Sequence, residues 1–303
     1  MSNPEHSFPD QLDELEKQRK RLVRLAYRML GSVSEAEDVV QDAWLRWRRV
    51  ERRIESPSAF LTQVVTRLCL DRLKSARARR ETYLGPWLPE PWLDGTDAAE
   101  RAADDLTTTL MLAMERLSPR ERAAFLLHDV FDVALTDVAA ALGTEPAAAR
   151  QLASRARKHV RAARPRYTIE PAEVDRIARA FYTATRDGDV AALSSLLAEE
   201  VEIHSDGGGR VLAFRKVIRG LDRAVRLFVT TRRRNLDPPA LLRTALLDGL
   251  PGYLSRDRDD VLQTTALDVY GGKIHAVYIV RNPDKLRHLA KEVVVARTVP
   301  QSQ

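Results

Sequence analysis

Residues 134–152 read ALTDVAAALGTEPAAARQL and carry the most structural information in the chain. The apolar spacing predicts a short helix that ends at Gly143, because glycine readily adopts the left-handed conformation that closes helices. Pro146 suits the first turn of a second helix, where its missing N–H is not needed. Two helices joined by a short turn that contains glycine have the spacing of a helix-turn-helix motif.

The second helix of this pair separates into two faces. Ala149, Leu152, Ala156 and Val160 are predicted to pack inward. From Arg150 to Arg166 the sequence has seven Arg or Lys residues and no Asp or Glu, and such a stripe suits the phosphates of DNA. Its alternative interpretation is an ordinary helical hairpin with a solvated basic face. The candidate DNA-binding residues are Arg150, Gln151, Ser154, Arg155, Arg157 and Lys158.

Composition limits the class of protein. The 303 residues suggest two or three domains, and the formal net charge of +6 permits nucleic-acid binding. The single cysteine, Cys69, excludes an intramolecular disulfide and a cysteine-rich zinc site. The polar N-terminus and the lack of a long apolar run predict a cytoplasmic protein without a membrane span. The histidines lack ligand spacing, so we expect no metal and no cofactor.

The first 80 residues show helical spacing with a break at Gly31. Ser34 is the predicted N-cap of the next helix, with Glu37 completing a capping box. Glu35, Asp38 and Asp42 share one face of that helix, which is either a protein-docking surface or a solvated face. A third helix starts at Pro57 and ends in a basic run, which is either a nucleic-acid surface or a solvated helix end.

After the first helices, the sequence pattern changes to a proline-rich segment and later to a mixture of helices and strands. Residues 85–92 contain three prolines, which predict a linker, and the large apolar groups of Trp87, Leu88 and Trp92 are expected to dock on another surface. Residues 170–290 show an α+β pattern. The predicted helices cover 171–187 and 220–232, and the predicted strands cover 201–204, 211–218, 241–247, 261–270 and 274–280, with a tight hairpin at Gly271-Gly272.

Three segments resemble sigma-70-family proteins. AEDVVQDAWLRW at 36–47 resembles the core-polymerase-binding segment of region two, and TRLCLDRLK at 66–74 resembles the segment that reads the minus-ten promoter element. LSPRER at 117–122, followed by the helix-turn-helix, resembles region four, which reads the minus-thirty-five element. The short linker between regions two and four resembles that of the extracytoplasmic-function (ECF) sigma factors.

Three further motifs resemble signatures of the SigJ-type subgroup, which carries a C-terminal SnoaL-like domain of the cone-shaped NTF2-like fold. They are WLPEP at 87–91, DGGGR at 206–210 and NPDKL at 282–286. The expected fold is therefore two all-α domains followed by an α+β cone. The predicted boundaries are region two at 10–82, a linker at 83–103, region four at 104–166, the cone at 170–290 and a tail at 291–303.

Three sets of functional residues follow, two from the resemblance and one from the apolar linker and the C-terminal motifs. Core-polymerase binding is assigned to Asp38, Gln41, Asp42 and Trp44. Minus-ten DNA binding is assigned to Arg67, Asp71, Arg72, Lys74 and Arg77. Because the linker has apolar groups to bury and the cone has an unusual glycine turn, we expect the three motifs to meet and to regulate the DNA-reading domains. These interdomain residues are Trp87, Leu88, Pro89, Glu90, Pro91, Asp206, Gly207, Gly208, Gly209, Arg210, Asn282, Pro283, Asp284, Lys285 and Leu286.

The expected function is that of a non-enzymatic sigma factor that binds RNA polymerase core enzyme and promoter DNA. The C-terminal domain would regulate it in cis, without a separate anti-sigma factor, and could hold an unknown small ligand. Two alternatives stay open. One is a stand-alone helix-turn-helix regulator with a ligand-sensing cone. The other is a cyclase or isomerase fused to a DNA-binding module, for which His204, Asp206 and Arg210 would be the candidate acid–base group.

Overall fold

A computed structural model describes residues 8–50, 54–93, 107–161, 171–233, 239–257 and 259–290. The chain divides into two compact units. The helical unit comprises residues 1–81 and 113–163, and the C-terminal unit comprises residues 82–112 and 164–303. Residues 107–112, which the sequence assigned to region four, therefore group with the linker and the cone.

The helices of the N-terminal half follow the predicted pattern. They are α1 (Phe8–Leu30), α2 (Val33–Trp47), α3 (Pro57–Glu81), α4 (Thr108–Met114), α5 (Pro119–Phe125), α6 (Leu135–Leu142) and α7 (Pro146–Val160). A π-helical turn, Leu126–Val130, continues directly from α5. Among the described helices, none combines the length and the apolar character that a bilayer crossing needs.

The residues that begin and end the helices can be compared with the predicted ones. Gly31 has a positive φ of 72° and ends α1 as predicted. The N-cap of α2 is Ser32, whose side chain accepts from the Glu35 N–H, so the predicted cap at Ser34 is wrong by two residues. Gly143 is left-handed with φ 59°, and Pro146 opens α7, so the helix-turn-helix prediction is confirmed.

A buried arginine ties the two parts of the helical unit together. Arg122 of α5 is only 4% exposed. Its guanidinium donates to the Met29 carbonyl at the end of α1 and to the Met114 carbonyl, both at 2.8 Å, and pairs with Glu115 at 2.7 Å. Because a buried cation needs such partners, this side chain specifies how residues 113–163 pack on α1.

The C-terminal unit contains a mixed six-stranded sheet with the order β2-β1-β6-β5-β4-β3. Its strands are β1 (Leu197–Asp206), β2 (Ile218–Arg219), β3 (Ala240–Leu247), β4 (Leu250–Arg256), β5 (Leu262–Tyr270) and β6 (Lys273–Val280). Its helices are α8 (Pro171–Asp187), α9 (Val190–Leu196) and α10 (Leu221–Arg233), and a short 3-10 turn covers Pro283–Lys285. The expected α+β domain is confirmed, including the hairpin at Gly271-Gly272.

The two faces of this sheet carry separate apolar cores. One core joins the sheet to the helices and includes Phe181, Leu193, Ile203 and Leu267. The other core lies on the opposite face and includes Leu88 of the linker, together with Leu254, Tyr278 and Leu289. The linker therefore supplies part of a hydrophobic core and is not a solvated tether.

One predicted strand is wrong, and one strand was missed. The segment predicted as a strand at 211–218 is a loop up to residue 217, because Arg210 and Val211 turn their N–H groups back to the Gly207 carbonyl. β4 was not predicted, because Pro251-Gly252 reads as a turn. In the sheet Gly252 pairs with Ala266, where a Cβ would overlap the Thr265 carbonyl.

Candidate nucleic-acid interface and regulatory contact

Helix α7, the second helix of the helix-turn-helix, presents the predicted polar face. Arg150, Gln151, Arg155 and Lys158 are exposed, and Ser154 and Arg157 are partly exposed. The buried residues are Ala149, Ala153, Ala156 and Val160, so Ala153 takes the fully buried position that was assigned to Leu152. The face remains cationic and free of acids, as phosphate binding requires.

Carboxylates from the preceding segment hold two cations of α7. Asp129 in the π-helical turn pairs with Arg157, with 3.1 Å between Oδ1 and Nη1. Glu121 lies 3.5 Å from Arg155 and also completes a capping box with Ser118. The hydrogen bonds from Ser118 and the charge of Arg155 lower the pKa of Glu121, although partial burial opposes them. Neither carboxylate was identified from the sequence.

The α3 surface assigned to the minus-ten element is partly engaged within the helical unit. Arg67 donates from Nη2 to the Ala140 carbonyl at 3.1 Å and from Nε to the Ala141 carbonyl at 3.4 Å. Gln63, one turn earlier, donates to the same Ala140 carbonyl at 2.9 Å. These carbonyls end α6, where helices leave acceptors without internal partners. The candidate minus-ten surface therefore contacts the turn of the helix-turn-helix.

The remaining minus-ten candidates differ in their surroundings. Asp71 and Lys74 are exposed and pair with each other at 3.0 Å. Arg72 instead faces α2, where it donates to the Glu35 carbonyl and pairs with Asp42 at 2.9 Å. The side chain of Arg77 lies outside the described residues. Arg72 thus links the candidate DNA-binding helix to the candidate polymerase-binding helix.

The acidic face of α2 is exposed as the sequence predicts. Asp38 and Gln41 point to solvent, and Asp42 is about half exposed beside Arg72. Trp44 is half-buried and meets the buried ring of Trp47 edge-on at 6.2 Å. Cys69 on α3 is fully buried, and this burial raises the pKa of its thiol, as is typical of a structural rather than a reactive cysteine.

In the C-terminal unit, Asp206 is the centre of a buried polar network. The residue is 1% exposed and lies at the end of β1. Its Oδ1 accepts from the Tyr83 hydroxyl at 2.6 Å and from the Gly208 N–H, while Oδ2 accepts from the Leu88 N–H at 2.9 Å. The carboxylate also raises the pKa of the Tyr83 phenol, adding to the larger effect of burial. One side chain of the glycine-rich motif therefore holds the linker in two places.

Lys285 completes this network from the third motif. Its ammonium pairs with Asp206 Oδ2 at 2.7 Å and also donates to the Leu88 carbonyl. The same ammonium lies 4.4 Å from the ring centre of Trp87, a cation–π contact. Asn282 donates to Tyr83 and packs against Gly208, where any Cβ would overlap the Asn282 amide. The expectation that the three motifs meet is confirmed.

Further contacts extend the docked linker. The docking of Trp92 was expected, whereas its partner Asp248 and the contacts of Thr109 were not predicted. Trp92 exchanges hydrogen bonds with Asp248, whose positive φ begins the turn between β3 and β4. Thr109 bonds to Asp268 and Tyr278 on the sheet at 2.9 and 3.1 Å. Burial raises the pKa of Asp268, and the Thr109 hydrogen bond opposes the shift. Asp248-Gly249 between two apolar runs is a strong hairpin signal, so the turn and β4 were detectable in the sequence.

The three candidate acid–base residues of the cone each have a different partner. His204 pairs with Glu202 at 3.0 Å and stacks on Tyr278, whereas Asp206 serves the linker and Arg210 pairs with Asp284 at 3.4 Å. Burial lowers the pKa of His204, although Glu202 opposes the shift. The core between sheet and helices is filled by side chains such as Phe181 and Phe228, whose rings meet edge-on. These residues therefore form no convergent acid–base pair.

A cavity of about 150 Å³ lies between the linker and the loop after β1. Its wall includes Leu84, Gly85, Gly207, Gly209, Leu212 and Phe214. Three of these apolar side chains are substantially exposed, with Leu212 85% exposed and Leu84 53% exposed. Any small molecule bound here would touch both the linker and the glycine-rich motif.

Comparison with known proteins agrees with this architecture. The family described as Sigma-70 region 2 matches residues 15–79, and Sigma-70, region 4 matches residues 108–160. The ECF RNA polymerase sigma factor SigJ of Mycobacterium tuberculosis is 41% identical over 295 residues, covering 91% of this chain and 93% of the relative. A probable ECF sigma factor of that organism, SigI, is 33% identical over 284 residues, covering 91% and 94%.

A solved structure extends the similarity to the fold. The crystal structure of M. tuberculosis SigJ aligns with a TM-score of 0.74 and 38% identity, covering 91% of this chain and 98% of that chain. The similarity therefore spans the helical unit, the linker and the sheet domain together. This chain belongs to the ECF RNA polymerase sigma factors of the sigma-70 family.

Proposed function

We propose that this protein directs RNA polymerase core enzyme to promoters and that its C-terminal unit regulates this step in cis. The exposed acids of α2 are the proposed contact with core enzyme. The exposed face of α3 is the proposed minus-ten surface, and α7 is the proposed minus-thirty-five surface. The C-terminal unit is not proposed to be an enzyme, because His204 and Asp206 serve different partners.

The observation that carries the regulatory proposal is the buried contact between Asp206, Lys285 and the linker. The side chain of Asp206 is fully buried, and that of Lys285 is 10% exposed. A buried ion pair requires precise partners, so it specifies one arrangement of the groups around it. Here the groups are the N–H and carbonyl of Leu88, in the segment that connects regions two and four along the chain.

Run-off transcription with core RNA polymerase tests this proposal. The template carries the sequence upstream of the protein's own gene, and the full chain is compared with D206A and K285A. D222A is the matched control, because it removes an exposed carboxylate from α10 of the same unit. We expect both network variants to change transcription and D222A to leave it unchanged, and the direction of the change gives the sign of regulation.

Two other outcomes are informative. Equal transcription by the full chain and both network variants would contradict regulation through this contact. Duplex binding by the protein alone, with no transcription when core enzyme is added, would favour the stand-alone regulator. In that case the cavity lined by Leu84 and Phe214 would be the first place to look for a ligand.

A further inference from the structure

Asp129 is a nearly buried carboxylate placed against the DNA-facing helix by an unusual backbone turn. The π-helical turn is closed by a hydrogen bond from the Phe131 N–H to the Leu126 carbonyl at 3.0 Å, the i→i+5 pattern. The Asp129 side chain is 10% exposed. One oxygen holds Arg157, and the other is buried without a hydrogen-bond partner among the described residues. Such turns are frequent at functional sites.

Arg157 belongs to one stripe of α7. Arg150, Ser154, Arg157 and Arg161 are spaced four, three and four residues apart, so they follow one side of the helix. The side chains of Arg150 and Arg161 are exposed and make no ion pair or side-chain hydrogen bond among the described residues. Arg157 differs from these two arginines because it pairs with the carboxylate of Asp129. Its side chain is nevertheless 42% exposed. Its remaining N–H groups are therefore held in a defined place.

The neighbouring pair, Glu121 and Arg155, provides a contrast. Oε2 of Glu121 accepts from the N–H and the hydroxyl of Ser118, so much of this carboxylate serves the cap of α5. Arg155 lies outside the stripe and is 60% exposed at a longer distance of 3.5 Å. The Asp129 side chain does not cap a helix, since the hydrogen bond that it accepts comes from Arg157.

We infer that Asp129 is a positioning residue that sharpens promoter selection by holding Arg157 against the π-helical turn. This inference rests on the proposed contact of α7 with DNA. When Asp129 fixes the guanidinium of Arg157, that guanidinium can contact the duplex in one register only. Phosphate contacts of this kind position a recognition helix on DNA. The nearby negative charge also offsets the sequence-independent attraction of Arg157 to any phosphate. Affinity for a duplex of the wrong sequence therefore falls more than affinity for the correct promoter. Specificity increases because sequence-independent binding becomes weaker.

The experiment measures binding by the full-chain holoenzyme in four forms: wild type, D129N, R157Q and the double variant. Duplexes are first selected from a random library by the wild-type holoenzyme, and affinity is then compared between a selected and a scrambled duplex over a series of salt concentrations. We expect D129N to bind the scrambled duplex more tightly and to lose about tenfold in discrimination, which corresponds to about 1.4 kcal/mol. The reason is that general attraction to phosphates rises while Arg157 no longer fixes the register of the helix. Its salt dependence should steepen by up to about 0.9 in log–log slope, the value for one more phosphate contact.

The double variant separates positioning from a structural effect. If Asp129 acts through Arg157, D129N changes neither discrimination nor salt slope in the R157Q background. Equal losses in both backgrounds, or an unchanged salt slope in D129N, would overturn the inference. D129E should restore discrimination, because it keeps the carboxylate. Failure of the wild-type holoenzyme to select any sequence would instead contradict the proposed function.

Discussion

Two polar contacts, one in each unit, join segments that are distant in sequence. They differ in how easily water can replace the protein partners. In the helical unit, Arg67 and Gln63 donate to carbonyls of α6 from exposed or partly exposed positions. In the C-terminal unit, Asp206 and Lys285 hold the linker from buried positions. Water can replace the first set of partners at once, whereas the second set cannot be separated without leaving a buried charge.

The difference in burial sets a difference in energy. A hydrogen bond near the surface contributes about 0.5–1.5 kcal/mol, because water offers similar bonds in its absence. Removing one partner of a buried ion pair costs about 3–5 kcal/mol, because the other charge is left uncompensated. The hydrogen bonds from α3 to α6 are therefore weak when taken by themselves, whereas the buried contact of the linker with the sheet is costly to break. Within the helical unit, the comparably costly contact is that of the buried Arg122 with Met29.

The largest expected effect comes from D206A. It leaves Lys285 buried without its carboxylate, and we expect the C-terminal unit to lose about 3–5 kcal/mol of unfolding free energy. Denaturant unfolding of the full chain, followed through the fluorescence of Trp87 and Trp92 as single-tryptophan variants, measures the change. The matched double variant D206N/K285M removes both charges and should lose less. An equal loss in both would show that the pair is not the source of stability.

A smaller effect is expected from G208A. Gly208 has φ 60°, and an added Cβ would overlap the Asn282 amide. The left-handed conformation alone costs a non-glycine residue about 1–2 kcal/mol. G271A is the matched control, because Gly271 has φ 57° and open space around it. Unfolding free energies should therefore fall further for G208A than for G271A, and equal losses would show that the close approach to Asn282 is unimportant.

The pH dependence of the C-terminal unit should be more modest and should involve His204. Burial lowers its pKa below the ordinary value, and the groups that face it are Glu202, Arg219 and Tyr278. Between the folded and the ordinary pKa the unfolded state binds more protons, so stability rises with pH in that window. The stabilisation is complete above the ordinary histidine value and is lost as the pH falls through the folded value.

Urea midpoints from pH 5 to 8 measure this contribution. H204Q should flatten the curve, because it removes the titrating ring. H275Q is the control, since His275 is exposed on the same sheet. An unchanged slope in H204Q would assign the pH dependence to other groups.

The smallest effect is expected from Q63A. It removes one hydrogen bond to the Ala140 carbonyl and leaves Arg67 in place, so the contact of α3 with α6 should weaken by about 0.5–1.5 kcal/mol. Hydrogen exchange of the α6 amides measures the loosening. A loss as large as that of D206A would contradict the distinction between the two contacts.

The sequence predicts more of the helical unit than of the sheet domain, for physical reasons. Helix ends depend on local residues, and Gly31, Gly143 and Pro146 act as expected. Strand pairing depends on distant partners. Pro251 and Gly252 read as a turn, yet Gly252 is needed inside β4 because β5 approaches it closely.

The candidate surfaces show the same limit. Exposure of Arg150 and Gln151 follows from helical periodicity, which the sequence contains. The engagement of Arg72 by Asp42, and of Arg67 by α6, depends on packing between helices that are far apart in sequence. Tyr83 and Thr109 were missed because single polar residues outside a motif give no signal until the sheet brings partners to them. Asp248 belongs to a detectable hairpin signal, but its contact with Trp92 depends on the docked linker.

The contact between Arg67 and the end of α6 has a geometric consequence for the proposed function. The minus-ten and minus-thirty-five elements lie roughly 25 base pairs apart, which is on the order of 80 Å along a straight duplex. Arg67 of the candidate minus-ten surface lies 3.1 Å from the Ala140 carbonyl in α6, the helix that immediately precedes the candidate minus-thirty-five helix α7. If these surfaces read the two elements as proposed, a chain with this contact intact would reach one element at a time. Engagement of a whole promoter would then require the two parts of the helical unit to separate, which breaks both the Arg67 contact and the buried contact of Arg122 with Met29.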